Sequence, residues 1–385
     1  MTVPVSGYVY DVAVAGERAR SLRGVLPEWA RLLYAVKANS FGPVLAALAC
    51  DGGVDGFEVA SAAEAVASAA VLREAGRPVR LAAAGPAKGT TLLAELLDAG
   101  VEVVHAESAL ELARLSALGQ ARGQRVRVGL RVNPQHVALT GTLSMAGHPS
   151  PFGIPEADVP AALALAHRLP GLDVVGFHVH AVCGNRDARA HAAYISWCLS
   201  WAVRTAAEHG VDLRWLDVGG GLGVAYGGQE PLDLAVLGEQ LASLHVPARI
   251  EIALEPGRWL AADCGWYAAE VVDVKQSGRR PTSSSAGEVR LRWYAARGDI
   301  AAYAGIPGLD QACLLEEELA RTREGLGPGT VVRSRTACSV RSRSLLAPGD
   351  ARSGRGCGGV GAEARGQRGE RRRAGGCRGV DGQGR

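Results

Sequence analysis

From residue 28 to about 258 the chain repeats one pattern eight times: a short β-rich run, then a stretch with helical periodicity. The runs are "LLYAVKA" (32–38), "GFEVAS" (56–61), "VRLAAAG" (79–85), "VEVVHAE" (101–107), "VRVGLRVNP" (126–134), "DVVGFHVHA" (173–181), "LRWLDVGGG" (213–221) and "RIEIALEPG" (249–257). Between them lie segments such as "AAEAVASAAVLREAG" and "ALELARLSALGQARG", several of which stop at glycine. Strands that alternate with helices run parallel, because each crossover carries the chain back to the same end of the sheet. Eight units in about 230 residues is the count of a closed barrel. A doubly wound open sheet is the rival, but its phosphate-binding glycines follow the first strand, whereas here the glycine cluster follows the seventh. The sequence therefore predicts an α/β protein with a (β/α)8 TIM-like barrel over residues 28–260.

The flanks have a different texture. "GYVYDVA" (7–13) is expected to be a strand, and "AAEVVDVK" (268–275) and "EVRLRWYA" (288–295) are further strands without intervening helices. These predict a second, β-rich domain formed from both chain ends, with residues 1–27 and 261–303. No aromatic residue occurs after Tyr303, and from 351 onward glycine and arginine dominate. Such a segment buries too little apolar surface to offset its ordering entropy, so disorder is expected over 304–385.

Composition narrows the class. Hydrophobic residues are 48% and charged residues 21%, ordinary for a globular chain. No apolar run reaches about 18 residues, which argues against a membrane span, and the N-terminus has no signal-peptide pattern. The eight cysteines show no CxxC or zinc spacing, so no metal is expected and the thiols are read as reduced, in a cytoplasmic protein. The net charge of +3 conceals nine arginines after residue 350 against Glu363, Glu370 and Asp381, so that tail carries +6 and the remainder −3. A basic tail can touch nucleic acid, but the body has no basic stripe with interleaved aromatics, and a nucleic-acid partner is not expected.

Chemistry in a barrel gathers where the strands end, because the βα loops converge there. Lys37 closes the first run, Ser61 the second, Arg131 and Asn133 the fifth, His178 and His180 the sixth. Gly219, Gly220 and Gly221 close the seventh, and Glu255, Gly257 and Arg258 the eighth. Glycines without Cβ atoms let backbone amides approach an anion, and loops after strands seven and eight are where such barrels bind phosphate. Arg258 adds a charged donor. A phosphate there and an amine on the neighbouring first strand suit pyridoxal 5′-phosphate, whose aldehyde condenses with lysine. Glu255 would then keep the pyridine nitrogen protonated, and His180 could stack on the ring. Singly, Lys37 is an ordinary strand-end lysine, His180 a core histidine, and Glu255 or Arg131 a salt-bridge partner. Their joint placement carries the argument.

"YAVKANS", "GFEVASAAEA", "GFHVHAVCGN", "LDVGGGLGVAYG" and "EPGRWLAADCG" resemble, in order and spacing, the fold-type III pyridoxal-phosphate decarboxylases, which include the diaminopimelate, ornithine and arginine decarboxylases. The similarity spans about residues 7–277. It implies that Lys37 is the Schiff-base lysine, His180 the ring-stacking histidine and Glu255 the pyridinium partner. Gly219, Gly220, Gly221, Gly257 and Arg258 would bind phosphate, with Ser61, Arg131 and Cys183 completing the cofactor set. The expected reaction is α-decarboxylation of an amino acid or an amino-acid conjugate, and the expected assembly a head-to-tail homodimer. "LSMAGHPSPFGI", "NRDARAHAAYISWCLSWA" and "CGWYAAEVVDVK" look closest to the branch acting on precursors of carboxylate siderophores.

Two departures stand out. Where the family reads H-x-G-S, this chain reads "HAVC", with Val182 and Cys183. The family's C-terminal cysteine–acid pair and phosphate-binding tyrosine have no match after about residue 280; Cys313 and Cys338 stand in other contexts. Two alternatives follow: a racemase on the same fold, or a chain that binds the cofactor without turnover.

Overall fold

The computed structural model describes residues 7–50, 53–226, 229–280, 289–296 and 331–335. Strand β1 (Gly7–Tyr10) leads into helix α1 (Val12–Arg23). The expected strand over 7–13 stops early because the Asp11 side chain accepts the amide of Ala13 and starts the helix. Eight parallel strands follow: β2 (Ala30–Ala35), β3 (Gly56–Val59), β4 (Leu81–Ala83), β5 (Val103–Ala106), β6 (Val126–Asn133), β9 (Leu172–His178), β11 (Trp215–Asp217) and β12 (Glu251–Leu254). Their neighbour order closes on itself through the β5–β6 and β12–β2 pairings, as a barrel requires. Two short pieces, β7 (Leu143–Ser144) and β10 (Val182–Cys183), pair antiparallel with each other, and β8 (Ile154–Pro155) pairs parallel with the end of β6.

The runs seen in the sequence are all present but end sooner at the loops. "LLYAVKA" gives a strand only to Ala35, after which Val36–Ala38 turn as a 3-10 helix. The glycine triplet lies beyond β11, which ends at Asp217. Capping explains why the helices begin so soon. Ser61 accepts from Glu64 N before α3 (Ala62–Glu74), and Ser108 does the same before α5 (Ala109–Ala121). The other barrel helices are α2 (Gly42–Ala49), α4 (Thr90–Ala99), α6 (Val159–His167), α7 (Ala188–His209) and α8 (Leu234–Ala242), with a single turn, α9 (Arg258–Ala261), after β12.

Side chains alternate across each strand, so the barrel has an outer face against the helices and an inner face along its axis. Phe177 on β9 points outward and meets Trp201 of α7 edge-to-face, ring centroids 5.1 Å apart. Inside, Leu33, Ala82, Val103, Val175, Trp215 and Ala253 form a separate apolar cluster. Two residues further on, on the same face, stand His105 of β5, Asp217 of β11 and Glu255, just past the end of β12. Glu58 on β3 and His178 on β9 are buried beside them. An apolar floor thus carries an ionisable layer.

After the barrel, β13 (Gly265–Arg280) pairs antiparallel with β1, with β14 (Val289–Ala296) and with β15 (Val331–Arg335). Strands from before and after the barrel share this sheet, as expected, and β13 is longer than the predicted 268–275. The strand β15 falls inside the stretch expected to lack structure. The rest of 304–385, with Cys313 and Cys338, lies outside the described residues. Among the described residues no helix is long and apolar enough to cross a membrane.

Phe177 is fully buried. Phe177→Ala should destabilise the protein by about 3–5 kcal/mol through lost transfer energy and a residual cavity, measured as a shift in the urea midpoint at constant slope.

Candidate active site

Lys37 projects from the turn after β2, and its Nζ donates to Glu58 Oε2 at 2.6 Å. The lysine side chain is 52% open to the barrel mouth, while that of Glu58 is 1% exposed. Burial opposes the charged amine, yet the Glu58 and Glu255 carboxylates outweigh it and hold the ammonium above the ordinary lysine range. For Glu58, burial exceeds the attraction of Lys37, the nearby Glu255 adds repulsion, and the carboxyl is pushed up to about 7. Glu255 is buried; Lys37 nevertheless holds its carboxyl below the usual range, against the desolvation that would raise it.

The glycine triplet is shaped by its neighbours. Gly219 has φ +70°, and a Cβ there would lie 2.3 Å from His180 Nδ1. A Cβ on Gly220 would lie 2.1 Å from the Glu255 carbonyl oxygen. The Gly219 amide donates to Asp217 Oδ1 at 2.8 Å and the Gly220 amide to His180 Nδ1 at 3.1 Å. Three triplet amides converging on an anion were expected; two are already used to fasten the loop. Gly257 sits tightly too, since a Cβ would come within 2.9 Å of Ala38 Cβ, beside Lys37.

His180 is buried, and burial together with Lys37 pushes its pKa down to about 3. A neutral imidazole whose Nδ1 accepts carries its proton on Nε2, the atom 3.5 Å from Cys183 Sγ. Burial raises the Cys183 thiol, with Arg258 pulling the other way. Arg131, Cys183, Arg258, His180, Lys37 and Glu255 therefore share one electrostatic neighbourhood. Arg131 does not stand free: its Nη1 donates to Glu107 Oε1 at 2.8 Å and its guanidinium lies 4.8 Å from the centre of the Phe152 ring. Ser61 is accounted for as the cap of α3, its Oγ accepting from Glu64 N at 3.3 Å. Asn133 holds the loop above β6 through His148 O and the Gly147 amide.

Glu58, His105 and Asp217 were not picked out from the sequence. The signal was present, since an acid or a histidine at an inward position of a buried parallel strand departs from the apolar run such strands need.

A parallel barrel that sets a lysine, a buried acid and a glycine-bounded loop around one mouth has the design of a pyridoxal-binding barrel. Residues 14–262 match the family described as "Pyridoxal-dependent decarboxylase, pyridoxal binding domain". The chain belongs to that family. It is 32% identical over 279 residues to the 2-[(L-alanin-3-ylcarbamoyl)methyl]-2-hydroxybutanedioate decarboxylase of Staphylococcus aureus, covering 71% of this chain and 68% of the relative. It is 30% identical over 279 residues to the diaminopimelate decarboxylase of Aquifex aeolicus, covering 71% and 64%. The chain thus spans about two thirds of the length of these relatives. The fold is that of Helicobacter pylori diaminopimelate decarboxylase crystallised with L-lysine, with a TM-score of 0.61 at 23% identity over 71% of this chain and 68% of that one.

The residues fit the cofactor. A loop of glycines that a Cβ would block, an amine and a deeply buried acid, Glu255, meet at one mouth.

His191 on α7 packs under the triplet, its Cε1 within 3.5 Å of where a Gly221 Cβ would be, and burial pushes its pKa down to about 4. A depressed folded-state pKa means this histidine's share of stability is present above the unfolded value of about 6.5 and is lost as pH falls toward about 4. His191→Gln should therefore take up about one proton fewer on unfolding between pH 6.5 and 4, a shallower acid limb by about 1.4 kcal/mol per pH unit, read from urea titrations at stepped pH.

Proposed function

We propose that this protein is a pyridoxal-phosphate-dependent α-decarboxylase that acts on an amino acid, free or joined to a hydroxy-polycarboxylate, and releases CO2 and an amine. The observation that carries the reading is the Lys37–Glu58–Glu255 arrangement at the mouth of the barrel. The cofactor, when bound, supplies an electron sink for the carbon that loses CO2. Lys37 would carry it. Its amine must first shed a proton, and Glu58 Oε2, 2.6 Å away with a carboxyl poised near neutrality, can receive that proton. Glu255, held ionised, would face the ring nitrogen and keep it protonated. His180, neutral and pinned by the Gly220 amide, offers a fixed ring face for stacking. With the Gly219 and Gly220 amides engaged, the phosphate falls to Gly221, Gly257 and Arg258.

An acid rather than an arginine at position 255 favours an electron-poor ring and thus carboxylate loss over racemisation. The S. aureus relative's name describes an alanine unit joined to a hydroxybutanedioate, and the resemblance of "LSMAGHPSPFGI" points the same way. We further propose a homodimer, in which the partner would add the acid that reprotonates the product carbon.

The test is CO2 release after pyridoxal-phosphate reconstitution, screened over diaminopimelate, ornithine, arginine, lysine and diaminopropionate conjugates, with chiral analysis of each remaining acid. The expected result is CO2 from one of them, a dimer by light scattering, and a visible cofactor band that disappears in Lys37→Ala. A Lys37→Ala protein that keeps the band unchanged, or inversion without CO2, would refute the reading.

A further inference from the structure

Behind Glu255 lies a set of groups that the reaction does not explain. His105, His178, Asp217 and Glu255 are all buried, and one ligand-type atom from each lies within 4.8 Å of the others. Asp217 Oδ2 and Glu255 Oε1 are buried with no donor to satisfy them. Two ionised carboxylates side by side in a dry interior repel strongly and leave oxygens unpaired.

The neighbours exclude the simplest remedy, a histidine that donates to Asp217. His105 Nε2 is 3.7 Å from Asp217 Oδ2. That same nitrogen already receives the indole N–H of Trp215 at 3.1 Å. An indole nitrogen only donates, so Nε2 must present its lone pair, and the His105 proton sits on Nδ1. His105 is then neutral and turns a lone pair, not a proton, toward Asp217. Protonating both nitrogens is opposed by burial and by His178, whose ring centroid is 4.3 Å away. His178 is likewise held neutral by burial; its Nε2 lies 3.6 Å from Glu255 Oε2, and neither of its ring nitrogens makes a hydrogen bond to Asp217.

We propose that Asp217 is a protonated carboxylic acid that donates a hydrogen bond to Glu255 and thereby positions it. One proton between the two groups satisfies both orphaned oxygens and removes one of two clashing charges. Burial and the charges of Glu255 and Glu58 push the Asp217 carboxyl well up, in agreement with that geometry. The other Asp217 oxygen, Oδ1, accepts the Gly219 amide at 2.8 Å. Asp217 would thus tie the first glycine of the triplet to the acid of the ring pocket and set phosphate loop and ring partner in register. A carboxylate has two oxygens, so Glu255 keeps one for the ring nitrogen.

This inference rests on the reading of Glu255 as the acid of the cofactor pocket, but an infrared measurement separates the two. Asp217→Asn is the decisive variant, because its amide keeps an acceptor for Gly219 and a donor for Glu255; Asp217→Leu keeps neither. In the full-length protein, the parent-minus-Asp217→Asn infrared difference at pH 7 should show one protonated-carboxyl C=O band, with or without pyridoxal phosphate. Pyridoxal-phosphate affinity should change less than about threefold in Asp217→Asn and weaken by about tenfold or more in Asp217→Leu, the scale of a hydrogen bond to a charged group. No protonated-carboxyl band, or equal loss of affinity in both variants, would overturn the proposal. So would a stoichiometric divalent metal in the purified parent that vanishes in Asp217→Asn. If the band is present and no substrate releases CO2, the proton assignment stands and the proposed function fails.

Discussion

Ionisable side chains that point into a closed barrel have no water to solvate them, so each must be balanced by another or give up its charge. The upper interior of this barrel holds Glu58, His105, Arg131, His178, Asp217 and Glu255, all buried. Lys37 is the group that reaches them from the open mouth. Its ammonium keeps Glu255 ionised, while burial and the charge of Glu255 drive Glu58 toward neutrality even with Lys37 beside it. The histidines, facing Lys37 and Arg131, stay uncharged. The protonation pattern follows from burial set against the reach of Lys37 and Arg131.

That balance exists only once the barrel closes. Strand β12 pairs with β2 in parallel register, Leu254 opposite Leu32, which brings the ends of the two strands together. Glu255 and Lys37 come from opposite ends of the repeat and meet across this seam, while Glu58 arrives from β3 on the other side of Lys37. The opposite edge of β12, against β11, fastens the glycine loop, because the Glu255 amide donates to Gly219 O at 2.8 Å. Backbone closure, the shape of the loop and the electrostatics of the amine are therefore one arrangement. Damage to the β12–β2 pairing would scatter all three.

The barrel was legible because its pattern is local: eight short β-rich runs, nearly all followed by a stretch with helical periodicity, leave few other folds. Lys37, Glu255 and the glycines were legible because they end their runs, where an apolar strand gives way to a loop. Glu58, His105 and Asp217 were hidden inside their runs. Reading "GFEVAS" or "WLDVGGG" as strands gives the parity of Glu58 and Asp217, but not which face turns toward the axis, since both faces of a parallel strand are buried. Ser61 shows the opposite difficulty. It sits where a cofactor ligand would, and its oxygen also accepts the Glu64 amide as the cap of α3, a second role that neighbouring Glu64 announces. The bulge that returns His178 to the interior, where β9 slips against β6 at Gly129, has no sequence signature beyond the glycine itself.

The polar layer should be costly to keep. Burying ions next to one another stabilises a fold less than apolar packing of the same volume would. A second network on the β4–β6 side shows how the cost is contained: Lys88 Nζ lies 2.9 Å from Glu111 Oε2, and Glu107 accepts from Arg131 and from the amides of Gly85 and Gly153. Every strong charge there has a partner and the loops are drawn in around it, as a structural network should be. The layer under Glu255 differs, for it leaves Glu58 Oε1 and both nitrogens of His178 without donors or acceptors. Buried polar atoms left unsatisfied in one place, beside a network that satisfies nearly all of its own, mark the place where the fold gives up stability for a ligand. The apolar floor of Leu33, Val103, Val175 and Trp215 beneath it lets the barrel tolerate that concession.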